Sequence, residues 1–356
     1  MRTSLIVDLA KIKSNIFNLR TIIRPGTKFL AVIKADGYGH GAIAVANVAK
    51  ETGADYLGVA TVQEAIELRE AGISTPILIL TELTDYGFLQ SVLYYNITLT
   101  VYTKAFIEAV SQISTQYKKQ LKVHLKVDTG MSRVGVEPSE VLAFTKQITN
   151  SKYLLLEGLF THLSDADNSD RNYTQGQLQK FGEVLKDLEH KNIQIPLIHA
   201  ANSAATINYP AAHFDMVRVG IALYKGVLTF KTKIIFLRHI KEDTAVGYNT
   251  NYIARKNMQV AVLSVGYADG YSRLLSNNGQ VIIKGRRCDI IGNVCMDMTL
   301  VEIPDDLRVQ IGDEATLIGT QQQETITAAE VALLTQTIDY EVMCSIGKRV
   351  PRLYYR

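Results

Sequence analysis

The stretch FLAVIKADGYGHGAIAVANVAKETGADYLGVA, residues 29–60, decides the fold. A continuously apolar, β-branched segment (29–34) passes through a glycine-rich turn into a segment of helical period (43–53), then into a second apolar run (55–60). That order predicts two parallel strands joined by a crossover helix. The unit recurs in PILIL (76–80), ITLTV (97–101), LKVHLKV (121–127), LLLEGLF (154–160), IPLIHA (195–200) and MVRVG (216–220), with helical-period segments at 61–72, 104–114, 138–149 and 174–191. Continuous rather than alternating apolarity implies strands covered on both faces. Eight such runs fit an α/β fold, a (β/α)8 TIM-like barrel of roughly 250 residues or fewer. The rival, an open doubly wound sheet, usually begins with a G-x-G-x-x-G turn, and KADGYGHG lacks that spacing.

Beyond about residue 230 the texture changes. VAVLSVGYADG, GQVIIKGRRCDIIG, TLVEIP and EATLIG are short strands set apart by Gly, Asn, Asp and Pro, the pattern of a mainly β domain. The expected division is a barrel over residues 1–230 and a C-terminal β domain over 231–356, with no linker between them.

Composition narrows the function. With 356 residues, 47% hydrophobic and 21% charged, the chain is globular and about two domains long. A net charge of +3 without basic blocks argues against nucleic acid as a partner. No signal-peptide core opens the sequence, and no run nears the ~18 apolar residues of a spanning helix, so membrane contact by this chain is not expected. Cys288, Cys295 and Cys344 match no zinc spacing, and no metal is expected; reduced thiols point to the cytoplasm.

A parallel barrel carries its chemistry at the C-terminal strand ends. There the sequence places Lys34 with Asp36 and Tyr38; Lys126, Asp128 and Arg133; His162; His199, Asn202 and Ser203; and Arg218, Gly220 and Ile221. Lys34 closes an apolar strand, where partial desolvation would suit an amine for Schiff-base chemistry. HAANSAA and RVGIALY follow the seventh and eighth runs, the usual phosphate site of barrels. A phosphate site with an aldehyde-binding lysine indicates pyridoxal phosphate.

Taken together, AVIKADGYGHGA (31–42), HLKVDTGMSRVGV (124–136), EGLFTHLSDAD (157–167), HAANSAA (199–205), MVRVGIALY (216–224), AVGYN (245–249), SVGYADGYSR (264–273), GNVCMDMTLVEI (292–303) and IDYEV (338–342) resemble the alanine racemase family along essentially the whole chain. The resemblance implies a pyridoxal-phosphate racemase of L- and D-alanine serving cell-wall peptide synthesis, working as a homodimer. It implies that Lys34 binds the cofactor covalently and exchanges a proton on one face of the substrate, while Tyr248 of a second copy does so on the other. His162 and Arg218 would form the network behind Tyr248, with Arg218 beside the pyridine nitrogen. Tyr38, Asn202, Ser203, Gly220, Ile221 and Tyr267 would bind the cofactor, chiefly its phosphate. Arg133 and Met296 would engage the substrate carboxylate, Lys126 would carry a carbamate that orients Arg133, and Tyr340 would narrow the opening. Asp167, Arg273 and Asp297 would line the access corridor.

Two positions depart from the family pattern: Asn293 stands where many relatives have arginine, and Ser132 where they have glycine. Tyr340 favours alanine over the serine-racemising branch, which tends to carry asparagine there. The alternative is a serine, or dual alanine and serine, racemase domain of a membrane-tethered glycopeptide-resistance protein. A decarboxylase of a basic amino acid would be expected to place a carboxylate where Arg218 stands. A non-catalytic cofactor carrier would not need Tyr248 and Met296.

Overall fold

The computed structural model describes residues 2–356 and divides them into two compact units. One unit takes residues 12–37 and 42–223; the other takes the N-terminal segment to Lys11, Tyr38–Gly41 and Tyr224–Arg356.

The first unit is a nearly closed barrel of eight parallel strands: Lys28–Val32, Tyr56–Val59, Ile77–Ile79, Thr98–Val101, Leu121–Lys126, Leu154–Phe160, Leu197–His199 and Met216–Val219. All eight expected runs form strands, in sequence order around the barrel, and the eighth pairs with the first. The ladder stops between the seventh and eighth strands, where Asp215 N–H donates to Ile198 O at 2.9 Å and Arg218 N–H to Ala201 O at 2.9 Å. Helices follow where helical period was read, among them Ala42–Glu51, Val62–Glu70, Lys104–Gln116, Val141–Thr149 and Asn172–His190. Thr61 and Glu64 build a reciprocal cap at the start of Val62–Glu70, satisfying backbone donors that a helix start leaves open. Strand interiors such as Leu57 and Leu99 are fully buried, each such side chain contributing roughly 1.5–3 kcal/mol.

The second unit is a β-rich sheet organised around the long strand Leu228–Ile240, which pairs antiparallel with Ser4–Asp8, Met258–Leu263 and Glu314–Gln321. Packing, not position along the chain, sets the division: Ser4–Asp8 belongs to this sheet and also pairs parallel with Arg352–Tyr355. Gln280–Ile283 and Arg286–Asp289 form a hairpin whose Lys284 and Gly285 both take positive φ (48° and 76°), matching strand twist with a two-residue turn. Among the described residues no helix is long and apolar enough to cross a membrane.

Candidate active site

Lys34 sits two residues beyond the end of the first barrel strand and opens a left-handed turn. Ala35, Asp36, Gly37 and Tyr38 all have φ between 52° and 61°, a conformation that costs a residue with a Cβ about 1–2 kcal/mol. Hydrogen bonds to the next two helical segments brace it. Asp36 Oδ1 accepts from the Ala42 N–H at 2.8 Å, and Glu64 Oε1 accepts from the Ala35 N–H at 2.6 Å. Three non-glycine residues held this way persist only because their surroundings impose the conformation.

Arg218, in the last strand, is 4% exposed and faces only neutral acceptors. Nη1 donates to His199 Nδ1 at 3.0 Å; Nη2 donates to Thr161 O at 2.9 Å, Ala200 O at 3.1 Å and His162 Nδ1 at 3.1 Å. Burial pulls the guanidinium down to about 9, so it keeps its charge at neutral pH. A guanidinium can only donate, and this fixes the histidines in sequence. His162 accepts on Nδ1 and keeps its proton on Nε2. His199 accepts on Nδ1 and donates from Nε2 to His124 Nδ1 at 2.8 Å; His124 donates from Nε2 to Glu157 Oε2 at 3.2 Å. Glu157 Oε1 meets Lys122 Nζ at 2.6 Å. A proton added to either His124 or His199 would set two N–H groups against each other. Burial and Arg218 hold His199 and His162 well below the usual histidine range, and burial lowers His124 despite Glu157. Burial raises Glu157, but His124 and Lys122 outweigh it and bring the carboxyl to about 2.

Lys126 ends the fifth strand, 5% exposed, with its ammonium 5.6 Å from the Phe160 ring centroid. Among the described residues it makes no ion pair. Asp128, two residues on, uses Oδ1 for the N–H groups of Gly130, Met131 and Ser132 and Oδ2 for that of Arg133. Burial, then the nearby cations Arg133, Arg218 and Lys34, push Lys126 down to about 8 against the pull of Asp128. The loop this carboxylate builds presents Arg133 to solvent and holds Ser132 at φ 55°, which accounts for a glycine preference there. Ser203 Oγ accepts from the N–H groups of Gly220 (2.9 Å) and Ala222 (3.4 Å), knitting the loops after strands seven and eight, with Ile221 between. Both ends of the Asn202 amide serve the scaffold: Oδ1 accepts from Ala205 N–H and Nδ2 donates to Leu163 O, each at 3.0 Å. Asp167 is exposed.

The remaining expected residues lie in the second unit. Tyr38 is buried against Tyr224, centroids 4.9 Å apart, and lies 5.9 Å from Tyr340, which starts the helix Asp339–Ser345. Burial, then Tyr340 and Cys344, raise its phenol above the usual range. Tyr267 and Met296 come together because Tyr267 N–H donates to Cys295 O and Ala268 N–H to Met296 O, both at 3.0 Å. A Cβ on Gly266 would lie 2.2 Å from Cys295 O, so only glycine permits this approach. Arg273 is exposed, and Asp297 pairs with Arg349 at 2.5 Å. Tyr248, 70% exposed, caps a hairpin tip. Sequence reading passed over His124, Glu157 and Lys122 as functional groups; a histidine inside one apolar strand and a glutamate inside the next was the available signal.

The alanine racemase N-terminal domain family matches residues 7–227 and its C-terminal domain family matches residues 227–354. The chain is 41% identical to alanine racemase 2 of Oceanobacillus iheyensis, over 98% of this chain and 92% of the relative. It belongs to the alanine racemase family. Membership makes it an isomerase, a racemase of alanine. The solved alanine racemase of Bacillus anthracis with bound L-Ala-P superposes with a TM-score of 0.94 at 33% identity, covering 100% of this chain and 95% of that one. That of Bartonella henselae with covalently bound pyridoxal phosphate gives 0.90 at 28%, covering 100% of both chains. The family's two matches meet at residue 227, where the long strand of the second unit is about to begin.

Proposed function

We propose that this chain interconverts L- and D-alanine through two proton-transfer groups, Lys34 and Tyr248, with pyridoxal phosphate as cofactor. The observation that carries the reading is Arg218, a buried cation met by four neutral acceptors at the barrel's C-terminal end. Buried cations call for an anionic or electron-rich ligand, and Lys126, buried and without an ion pair among the described residues, adds to that demand. An anionic aldehyde phosphate suits this residue set. Lys34 would hold it covalently, Ser203, Gly220, Ile221, Tyr38 and Tyr267 would hold its phosphate, and Asn202 would position that loop from behind. When bound, it supplies an electron-withdrawing ring that acidifies the substrate Cα–H; Arg218, as a fixed cation at the ring nitrogen, would keep that pull moderate and so limit side reactions.

The chain's own groups move the proton. Inversion requires removal on one side of Cα and delivery on the other. Tyr248 would take the proton from L-alanine and Lys34 from D-alanine. The exposure of Tyr248 at a hairpin tip supports its service to a second copy, and that of Met296 supports the same for carboxylate binding. His162, with Nδ1 taken by Arg218, has its Nε2–H to offer the phenolate. Lys126 at about 8 has enough neutral amine near pH 7.5 to add carbon dioxide, forming a carbamate and releasing one proton, which would give Arg133 an anionic partner. The product D-alanine would enter cell-wall peptide.

Incubation with L-alanine in deuterated water tests the reading. Loss of optical rotation together with deuterium at Cα is expected; rotation retained after hours with stoichiometric cofactor would refute it.

A further inference from the structure

We infer that Asn293, Asn251 and Asn277 form an amide clamp that holds the Tyr248 loop in its working shape, with Asn293 as the central positioning residue; this rests on Tyr248 being a proton-transfer group. The loop is the tip of a hairpin whose base is fixed. Ala245 bridges Ile253, Val246 N–H donates to Tyr252 O at 2.9 Å, and Val246 and Ala254 join a cluster with Met258, Val260 and Ile291. The tip is strained. Gly247, Asn249 and Thr250 have φ of 75°, 61° and 52°, and for a β-branched threonine the left-handed region is an outlier that persists only where surroundings impose it. With its ring largely in solvent, Tyr248 has little packing to hold it.

The clamp supplies that hold. Asn293, 5% exposed, donates from Nδ2 to Tyr248 O at 2.8 Å and accepts on Oδ1 from Asn251 Nδ2 at 2.8 Å. Asn277 donates from Nδ2 to Asn251 O at 2.8 Å and accepts on Oδ1 from Gly292 N–H at 2.6 Å. A carbonyl only accepts and an N–H only donates, so backbone partners fix the orientation of the Asn277 and Asn293 amides, and no flip satisfies the same bonds. Gly292 lets the segment approach: a Cβ there would lie 2.8 Å from Val246 O. Asn293 and Asn277, from two segments outside the loop, thus hold the carbonyls of Tyr248 and Asn251, and the loop's own Asn251 side chain ties back to Asn293. An aspartate at 293 would be isosteric but could not donate, and would turn an oxygen toward the Tyr248 carbonyl.

The test compares Asn293→Asp, Asn251→Ala and Tyr248→Phe with the wild-type holoenzyme. For Asn293→Asp, kcat from L-alanine should fall about 10- to 100-fold with KM nearly unchanged. The isotope effect of Cα deuterium should rise with L-alanine and fall with D-alanine, because only the Tyr248 step slows. Asn251→Ala, an exposed change that cuts only the outer link, should shift both isotope effects in the same directions by less. In the apo protein, Asn293→Asp should speed amide exchange at 247–252 while leaving the affinity for added pyridoxal phosphate intact. Tyr248→Phe showing the asymmetry while Asn293→Asp leaves both isotope effects unmoved would overturn the clamp. No asymmetry in Tyr248→Phe itself would overturn the proton-transfer reading beneath it.

Discussion

Arg218 and Tyr248 are positioned by opposite means. Arg218 is buried in the barrel, and its four acceptors leave the guanidinium and the imidazoles around it one arrangement of protons. Tyr248 is exposed, on a strained tip tied down by side-chain amides through its backbone. The contrast teaches that in the barrel burial sets the charge state, whereas at the hairpin tip a few directed hydrogen bonds set a shape that still needs a cover. One region is built to keep charges constant; the other, on the proposed mechanism, delivers the proton-transfer group.

The largest expected effect breaks the barrel side at Lys34, the proposed reacting amine. Lys34→Ala should abolish racemisation and the absorbance of protein-bound cofactor while circular dichroism stays unchanged; a normal cofactor spectrum would remove Lys34 from its role. A smaller effect sharpens the claim about protons. His124, His162 and His199 have folded-state values below their unfolded ones, so the stability they confer is present above about pH 6.5 and lost as pH falls. Each proton taken up on unfolding steepens the fall by up to about 1.4 kcal/mol per pH unit below that point. His199→Gln can accept from Arg218 and donate to His124 without titrating, and should flatten the slope of denaturant stability by about 1.4 kcal/mol per pH unit. An unchanged slope would mean that His199 is already protonated in the fold.

Much of the barrel was legible in the sequence because each strand is a local run with a local helix after it. Lys34, Lys126, His162 and Arg218 could be placed because strand ends are visible wherever an apolar run stops. Other features depend on distant partners. Ser4–Asp8 reads as a short apolar start, yet its partners begin at Leu228 and Arg352. The chain from His124 to Glu157 depends on register, with His124 opposite Gly158, where a Cβ would lie 2.5 Å from its Nδ1. Asn251 and Asn277 look like ordinary turn residues and Asn293 stands out only as replacing an arginine; the folded second unit alone brings their amides together. The left-handed turn after Lys34 was signalled by its glycines, although Ala35 and Asp36 adopt it as well.

The most direct test of two opposed proton-transfer groups uses Tyr248→Phe in deuterated water, following Cα exchange and inversion separately for each isomer. With Lys34 intact, D-alanine should exchange its Cα hydrogen for deuterium while remaining D, and L-alanine should exchange at least about 100-fold more slowly than in the wild type. Equal slowing of exchange for both isomers, or racemisation at the wild-type rate, would contradict the account.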